Sequence, residues 1–377
     1  MFENFFKDDF KQYPAIIKII GIGGAGGNAI NRMIDFNLQG VEFVAANTDA
    51  QALRTSKAGL KLQLGSKITK GLGVGGNPEL GKKAAEEDIE RLREILIGTD
   101  MIFITAGMGG GTGTGATPII AKIAKELKIL TVGIVTKPFT FEGKIRSLNA
   151  DLGISNLREF LDTLIVIPNQ KLFDVIDEKT TTISAWEKID DVLRQSIQSI
   201  SDIITSTGLV NVDFNDVKAI MSNAGDALMG MGEGSGDSRA LKATEMAMNS
   251  PLLEDVSIKG ARGVLVNITG GKDITMHEIN DAMTLISNSI SKEANIFFGQ
   301  VVDEALEGKI KITIIATNFE KEYTKSKNSE NKDTNNLYNK DDDSKDYPEI
   351  FDLKKQGKEQ LDLNLEEPAF IRRNKKK

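Results

Sequence analysis

Residues 107–115 read Gly107-Met108-Gly109-Gly110-Gly111-Thr112-Gly113-Thr114-Gly115, six glycines and two threonines in nine positions. Glycine at most of these positions lets backbone N–H groups wrap closely around a di- or triphosphate, and the threonine hydroxyls add donors to phosphate oxygens. The run follows an apolar strand candidate, Met101 to Thr105, and precedes a helix predicted from about Pro118 to Leu127. A similar unit stands upstream. Ala15 to Ile20 is a short β-branched run ended by Gly21-Ile22-Gly23-Gly24-Ala25-Gly26-Gly27-Asn28, after which Asn28 to Phe36 has helical spacing, with Ile30, Met33 and Ile34 on one side. A loop between strand and helix turns backbone N–H groups and the positive end of the helix dipole toward a phosphate.

Taken alone, the upstream loop favours a dehydrogenase. Gly21, Gly23 and Gly26 satisfy the dinucleotide spacing, and Asp49 after the second strand is placed to hold a ribose hydroxyl. The 107–115 loop changes that reading, because a dehydrogenase has no use for it. No Gly-x-x-x-x-Gly-Lys-Ser/Thr motif occurs in the chain, which excludes a P-loop enzyme, so two amide nests share the phosphates.

Two further strand candidates, Val41 to Ala46 and Leu130 to Val135, complete a series of apolar strands alternating with helices, the pattern of a parallel sheet covered on both faces. Ser184 to Thr205 carries Trp186, Ile189, Val192, Leu193, Ile197, Ile200, Ile203 and Ile204 at helical spacing, and Ser184 with Glu187 forms a capping-box pattern. It reads as a long connector. Beyond it, strands at Gly263 to Thr269, Asn295 to Val302 and Lys309 to Ala316, with a helix from Thr275 to about Lys292, predict a smaller α+β domain. The segment after Phe319 is dominated by Lys, Asn, Asp, Glu and Ser, too polar to fold, and is read as a disordered linker over 319–364. Residues 365–377 then restore an apolar and charged motif of the kind that folds on a partner.

The 377 residues are 40% hydrophobic and 27% charged, enough for a full core and two domains. The formal charge of -7 argues against nucleic-acid binding, since phosphate contacts depend on clustered basic residues, and the strong basic cluster, Arg372 to Lys377, is terminal. The absence of cysteine excludes disulfides, thiol nucleophiles and thiolate metal sites, and a single histidine excludes an imidazole metal cluster within one chain. No stretch approaches the roughly 18 apolar residues that span a bilayer. Residues 1–14 lack a secretory apolar run and read as a flexible extension, so the cytoplasm is the expected address.

These residues resemble a known family, the bacterial cell-division tubulin homologues of the FtsZ type, whose signature is the run Gly109 to Gly115. The resemblance extends from about Ala15 to Asn318 and includes Asn47-Thr48-Asp49, Thr136-Lys137-Pro138-Phe139, Phe141-Glu142-Gly143 and Asn211-Val212-Asp213-Phe214-Asn215-Asp216. It implies a Rossmann-like parallel-sheet GTPase domain (15–183), a long central helix (184–208) and a smaller α+β domain (209–318). It further implies head-to-tail protofilaments of a division ring at mid-cell beneath the inner membrane, and attachment to membrane-anchored adaptors through Glu366 to Arg373.

By the same resemblance, Gly24, Ala25, Gly26, Gly27, Asn28 and Asn47, with Gly110, Gly111, Thr112 and Gly113, hold the nucleotide and its phosphates, while Glu142 and Arg146 contact the ribose and nearby groups. A solvated surface pair is the alternative for Glu142 and Arg146. Base choice falls to Asn169, Trp186 and Asp190. Guanine offers a ring N–H and an amino group as adjacent donors, which a carboxylate accepts together, whereas adenine would set a ring acceptor against it. Trp186 and Asp190 are four apart on one helical face, so one can stack while the other reads the edge. The alternative for Trp186 is a core anchor, and the share of Asp191 stays open.

Asp213 and Asp216 suit the start of a helix, and simple capping is their alternative reading. The resemblance implies instead that, with Asn211, they enter the nucleotide site of the next subunit and orient the attacking water. Magnesium is expected on the phosphates with few protein ligands. His277 is given no role, and Met229 and Met231 are read as core fill. The chain departs from the family pattern in carrying tryptophan at 186, where phenylalanine is common, and an acidic residue before Pro368.

Overall fold

A computed structural model describes residues 15–175, 179–205, 210, 212–253 and 258–319. The N-terminal extension, the linker, the C-terminal peptide and Asn211 lie outside them.

The chain opens as β1 (Ile17–Ile22), α1 (Gly23–Asp35), β2 (Glu42–Asn47), α2 (Ala50–Thr55), β3 (Leu60–Gln63), α3 (Ser66–Thr69), α4 (Pro78–Glu87) and α5 (Ile89–Leu96). It continues through β4 (Met101–Gly107), α6 (Thr112–Glu126), β5 (Leu130–Lys137), α7 (Lys144–Arg158), β6 (Thr163–Pro168) and α8 (Thr182–Thr205). The last part is α9 (Phe214–Met221), β7 (Gly225–Ser235), α10 (Arg239–Met248), β8 (Gly263–Gly270), α11 (Met276–Ser289), β9 (Asn295–Val302) and β10 (Lys309–Thr317).

The strands form one sheet in the order β3-β2-β1-β4-β5-β6-β7-β10-β8-β9. The first six are parallel. Because β1 to β3 run outward one way and β4 to β6 the other, the order reverses between β1 and β4. A crevice opens at such a point beyond the strand carboxyl ends, and both glycine loops lie there. Each face is covered, as the apolar strands predict. In β1, Ile17 and Ile19 join a core with α1 and α8, whereas Ile20 and Ile22 join a core with α4, α5, α6 and α7 on the other side. Residues two apart share a face, so one short strand feeds both layers.

Three readings change. The helices after the glycine loops begin inside them, α1 at Gly23 rather than Asn28 and α6 at Thr112 rather than Pro118. Glycine is a poor helix former, but close packing compensates: a Cβ on Gly115 would stand 2.0 Å from the Pro78 carbonyl oxygen, and one on Gly81 2.3 Å from that of Gly111. Secondly, α8 begins at Thr182, and the Thr181 hydroxyl rather than a Ser184–Glu187 box accepts a hydrogen bond from the Ser184 N–H at 3.2 Å. Thirdly, the smaller half is joined to the larger by strand as well as helix. β7 pairs in parallel with β6 over Thr163–Gly225 to Ile165–Ala227, and antiparallel with β10 along most of its length.

In β7, Gly230, Gly232 and Gly234 lie on one face because α10 rests directly on them. Added Cβ atoms would come within 2.0, 2.1 and 2.0 Å of the carbonyl oxygens of Ala247, Ala243 and Arg239. At the outer end of that half, the Arg239 guanidinium is buried between carboxylates, with Nε donating to Glu278 Oε1 at 2.7 Å and another nitrogen to Asp273. Met229 is buried, Met231 packs against the same core, and His277 is exposed.

Candidate functional site

A cleft of about 410 Å³ lies at the reversal of strand order, within the size range of small-molecule sites. One end of it is made by the starts of α1 and α6. Neither helix has a side-chain cap hydrogen bond or an acidic residue in its first turn. The same holds for α7 and α10, whereas α2, α4 and α9 are capped by Asp49, Asn77 and Asp213. Helix starts left without anionic caps suit a bound anion. Gly23 makes the turn from β1 with φ +73°, a conformation open to glycine, and an added Cβ would meet the Gly113 nitrogen at 3.1 Å, so the two loops touch.

The glycines divide by what surrounds them. Cβ atoms on Gly26, Gly107, Gly111 and Gly113 would strike protein at 2.4–2.7 Å. Gly24 and Gly110 line the cleft, yet a Cβ on either meets nothing within 4 Å. Protein packing therefore does not require glycine at those two positions; the space belongs to whatever enters the cleft.

At the other end, Trp186 is 42% exposed and held by an edge contact to the Phe139 ring, centroids 5.4 Å apart and planes at 82°. That exposure removes the core-anchor alternative. Asn169 is 4% exposed, and its Oδ1 has no hydrogen-bond partner. A buried acceptor left unpaired is costly, and it suits a ligand N–H. Asp190 lies across the same space, where burial pushes its carboxyl up to about 6, opposed by the charge of Arg32 and aided by that of Glu187. Asp191 is engaged elsewhere: Arg194 Nε donates to its Oδ1 at 2.7 Å and Gln195 to its Oδ2 at 2.5 Å. Burial raises that carboxyl, but the bond and charge of Arg194 with the bond from Gln195 bring it below the ordinary value.

Between the ends, Glu142 Oε1 accepts from the Phe139 N–H at 2.9 Å, and its Oε2 stands 3.0 Å from Arg146 Nε. The carboxylate is fixed yet keeps lone pairs for a further donor. The pair lines the cleft and is not an isolated surface bridge.

The cleft gathers Gly24, Ala25, Asn28, Gly110, Gly111, Thr112, Gly113, Glu142, Arg146, Asn169, Trp186 and Asp190. Gly26 is buried behind it, packing α1 onto the Thr105 carbonyl. Gly27 and Asn47 line a hollow of about 50 Å³ that adjoins the cleft, sharing Gly23, Gly24 and Asn28 with it. Asp49 caps α2, its Oδ1 accepting from the Gln51 and Ala52 N–H groups, and it does not line the cleft. Asp213 and Asp216 are not in the cleft either. Asp213 Oδ1 caps α9 by accepting the Asp216 N–H at 2.8 Å, and α9 is anchored where the parallel strands start, with Thr163 Oγ1 donating to the Met221 carbonyl at 2.6 Å. The cleft is at the opposite strand ends. Thr136 and Pro138, from the run Thr136 to Phe139, and Ile189 of α8 also line it, though none of the three was named for the site.

Residues 16–177 match the Tubulin/FtsZ family, GTPase domain, and residues 225–320 the FtsZ family, C-terminal domain. The structure is similar to that of an FtsZ dimer from M. jannaschii, with 43% identity, a TM-score of 0.78, and 81% of this chain and 89% of that chain covered. A mutant FtsZ of the same organism matches with the same identity and TM-score over 92% of its length. CetZ2 from Haloferax volcanii, solved as a GTPγS-bound protofilament, shares the fold at 20% identity and a TM-score of 0.71, covering 85% of this chain and 99% of that one. With two domain signatures in order and this identity across most of a solved relative, the chain belongs to the FtsZ branch of the tubulin/FtsZ family.

Proposed function

We propose that this protein is a self-assembling cytoskeletal GTPase that forms head-to-tail protofilaments of a division ring and hydrolyses GTP where one subunit meets the next. The observation that carries the reading is the separation of two half-sites. The cleft holds groups suited to a guanine nucleotide, while Asp213 and Asp216 begin a helix anchored at the far end of the sheet. A contact joining opposite ends is heterologous, and one whose rotation does not close propagates as a filament. Each junction then brings the Asp213–Asp216 turn of one subunit to the nucleotide of its neighbour, where the carboxylates orient the attacking water.

Within the cleft, the starts of α1 and α6 take the phosphates, Glu142 and Arg146 the sugar, Trp186 the base face, and Asn169 with Asp190 the base edge. Magnesium, held by the nucleotide rather than by side chains of this protein, would supply positive charge that offsets the phosphates. Among the described residues no group of three or more His, Cys, Asp or Glu side chains could hold a metal, and no helix is long and apolar enough to cross a membrane. Attachment beneath the inner membrane is through adaptors, taken up by Glu366 to Arg373. The dehydrogenase reading loses its support, since Asp49 caps α2 through Oδ1 and does not line the cleft.

The test is GTP hydrolysis per subunit against protein concentration with magnesium present. A rate near zero below a threshold and rising above it is expected. A rate independent of concentration, or binding of NAD in place of GTP, would return the protein to the class of self-contained enzymes.

A further inference from the structure

Two hydroxyls meet beneath the phosphate end of the cleft. Thr48 Oγ1 and Thr112 Oγ1 are 2.6 Å apart, Thr48 fully buried and Thr112 lining the cleft as the first residue of α6. Thr48 follows β2 and is held in place through its carbonyl, which accepts from Thr69 Oγ1 and from the Gly73 N–H, each at 3.3 Å.

The burial decides which hydroxyl donates. Among the described residues, Thr112 Oγ1 is the hydrogen-bond partner of the Thr48 hydroxyl. If Thr112 donated, the Thr48 proton would be buried with no acceptor, which is expensive, whereas an unused hydroxyl lone pair costs little. Thr48 is therefore the donor. Its proton occupies one lone pair of Thr112 Oγ1 and leaves the Thr112 proton directed elsewhere, and the open side is the cleft. We infer that Thr48 is a positioning residue, which sets the Thr112 hydroxyl as a proton donor to a phosphate oxygen; this rests on the reading of the cleft as a nucleotide site. The effect is pre-organisation: the hydroxyl is oriented before the anion arrives, so binding does not have to order it.

The test uses the full chain stripped of nucleotide and calorimetric titration with GTP. The variants are Thr48→Val, which keeps the shape without the hydroxyl, Thr48→Ser, which keeps the hydroxyl, Thr112→Ala, and the double variant Thr48→Val with Thr112→Ala. Loss of one hydrogen bond to a charged group predicts GTP binding about tenfold weaker in Thr112→Ala and about fivefold weaker in Thr48→Val, with Thr48→Ser within about twofold of the unaltered chain. Because Thr48 acts through Thr112, adding Thr48→Val to Thr112→Ala should weaken binding no further. Thermal unfolding of the nucleotide-free variants separates a merely structural bond. A Thr48→Val chain that unfolds at lower temperature yet binds GTP as tightly as the unaltered chain overturns the inference, as does a double variant in which the two effects multiply. Failure of the unaltered chain to bind GTP is a different result, since it removes the nucleotide reading of the cleft itself.

Discussion

Asp190 and Asp191 are neighbours on α8 that face different surroundings. About 100° of helical rotation sends Asp190 into the cleft and Asp191 toward Arg194 and Gln195, so only the first is free to read a base. Spacing alone leaves their roles open, because both are compatible with Trp186 four or five residues earlier. Burial also raises the Asp190 carboxyl to about 6. With its folded value about 6 and its ordinary value 3.8, the folded chain holds a proton there that the unfolded chain has released, so this group costs stability as pH rises between those values. Guanine binding has the opposite sign, since the carboxylate form is the double acceptor. From pH 7 to pH 5, GTP affinity should fall about tenfold more in the unaltered chain than in Asp190→Asn, which lacks the titrating group and removes the contribution of the phosphates from the comparison. Parallel slopes in the two proteins, measured by titration calorimetry, would take Asp190 out of base recognition.

At the scale of elements, β7 shows where local pattern misleads. Gly225 to Ser235 has the glycine content of a loop, and glycine in a strand interior ordinarily weakens it. The strand forms because β10 pairs along it and α10 seats its backbone on the glycine face. Gly232→Ala sets a methyl 2.1 Å from the Ala243 carbonyl oxygen, which must lift α10, and overpacking of this kind predicts a loss of about 3 kcal/mol. Gly236→Ala is the control: its φ of +68° strains alanine but its surroundings are open, so a loss of about 1 kcal/mol is expected. Urea midpoints at unchanged m-value check both, and equal losses would mean that the α10 contact is not what β7 depends on. The starts of α1 and α6 were hidden in the same way, since a glycine-rich helical turn is paid for by packing against elements remote in sequence.

At the scale of the whole molecule, the cleft and the Asp213–Asp216 turn lie at opposite ends of the sheet, so the proposed chemistry belongs to a pair of subunits. Asp216→Ala should lose turnover and keep GTP binding, and Asp190→Ala should lose turnover through the cleft. Mixed in equal amounts, the two inactive proteins should recover about a quarter of the unaltered rate, because random head-to-tail contacts set an intact cleft against an intact turn in that share of junctions. A mixture as inactive as its parts, in filaments shown to contain both, would place Asp216 in its own subunit's site. By itself the sequence determined the glycine loops, the parallel strands behind them and the i,i+4 pairs Glu142–Arg146 and Trp186–Asp190. Those features are local, set by glycine spacing and by the periods of strand and helix. Only the tertiary structure decided that Asn47 and Gly27 line a hollow beside the cleft, that Asp49 caps a helix, that Thr48 lies under Thr112 and that the cleft and the Asp213–Asp216 turn lie apart. Each of these depends on which strands become neighbours in the sheet, and that order follows from burying both apolar faces at once, which no single stretch of sequence encodes.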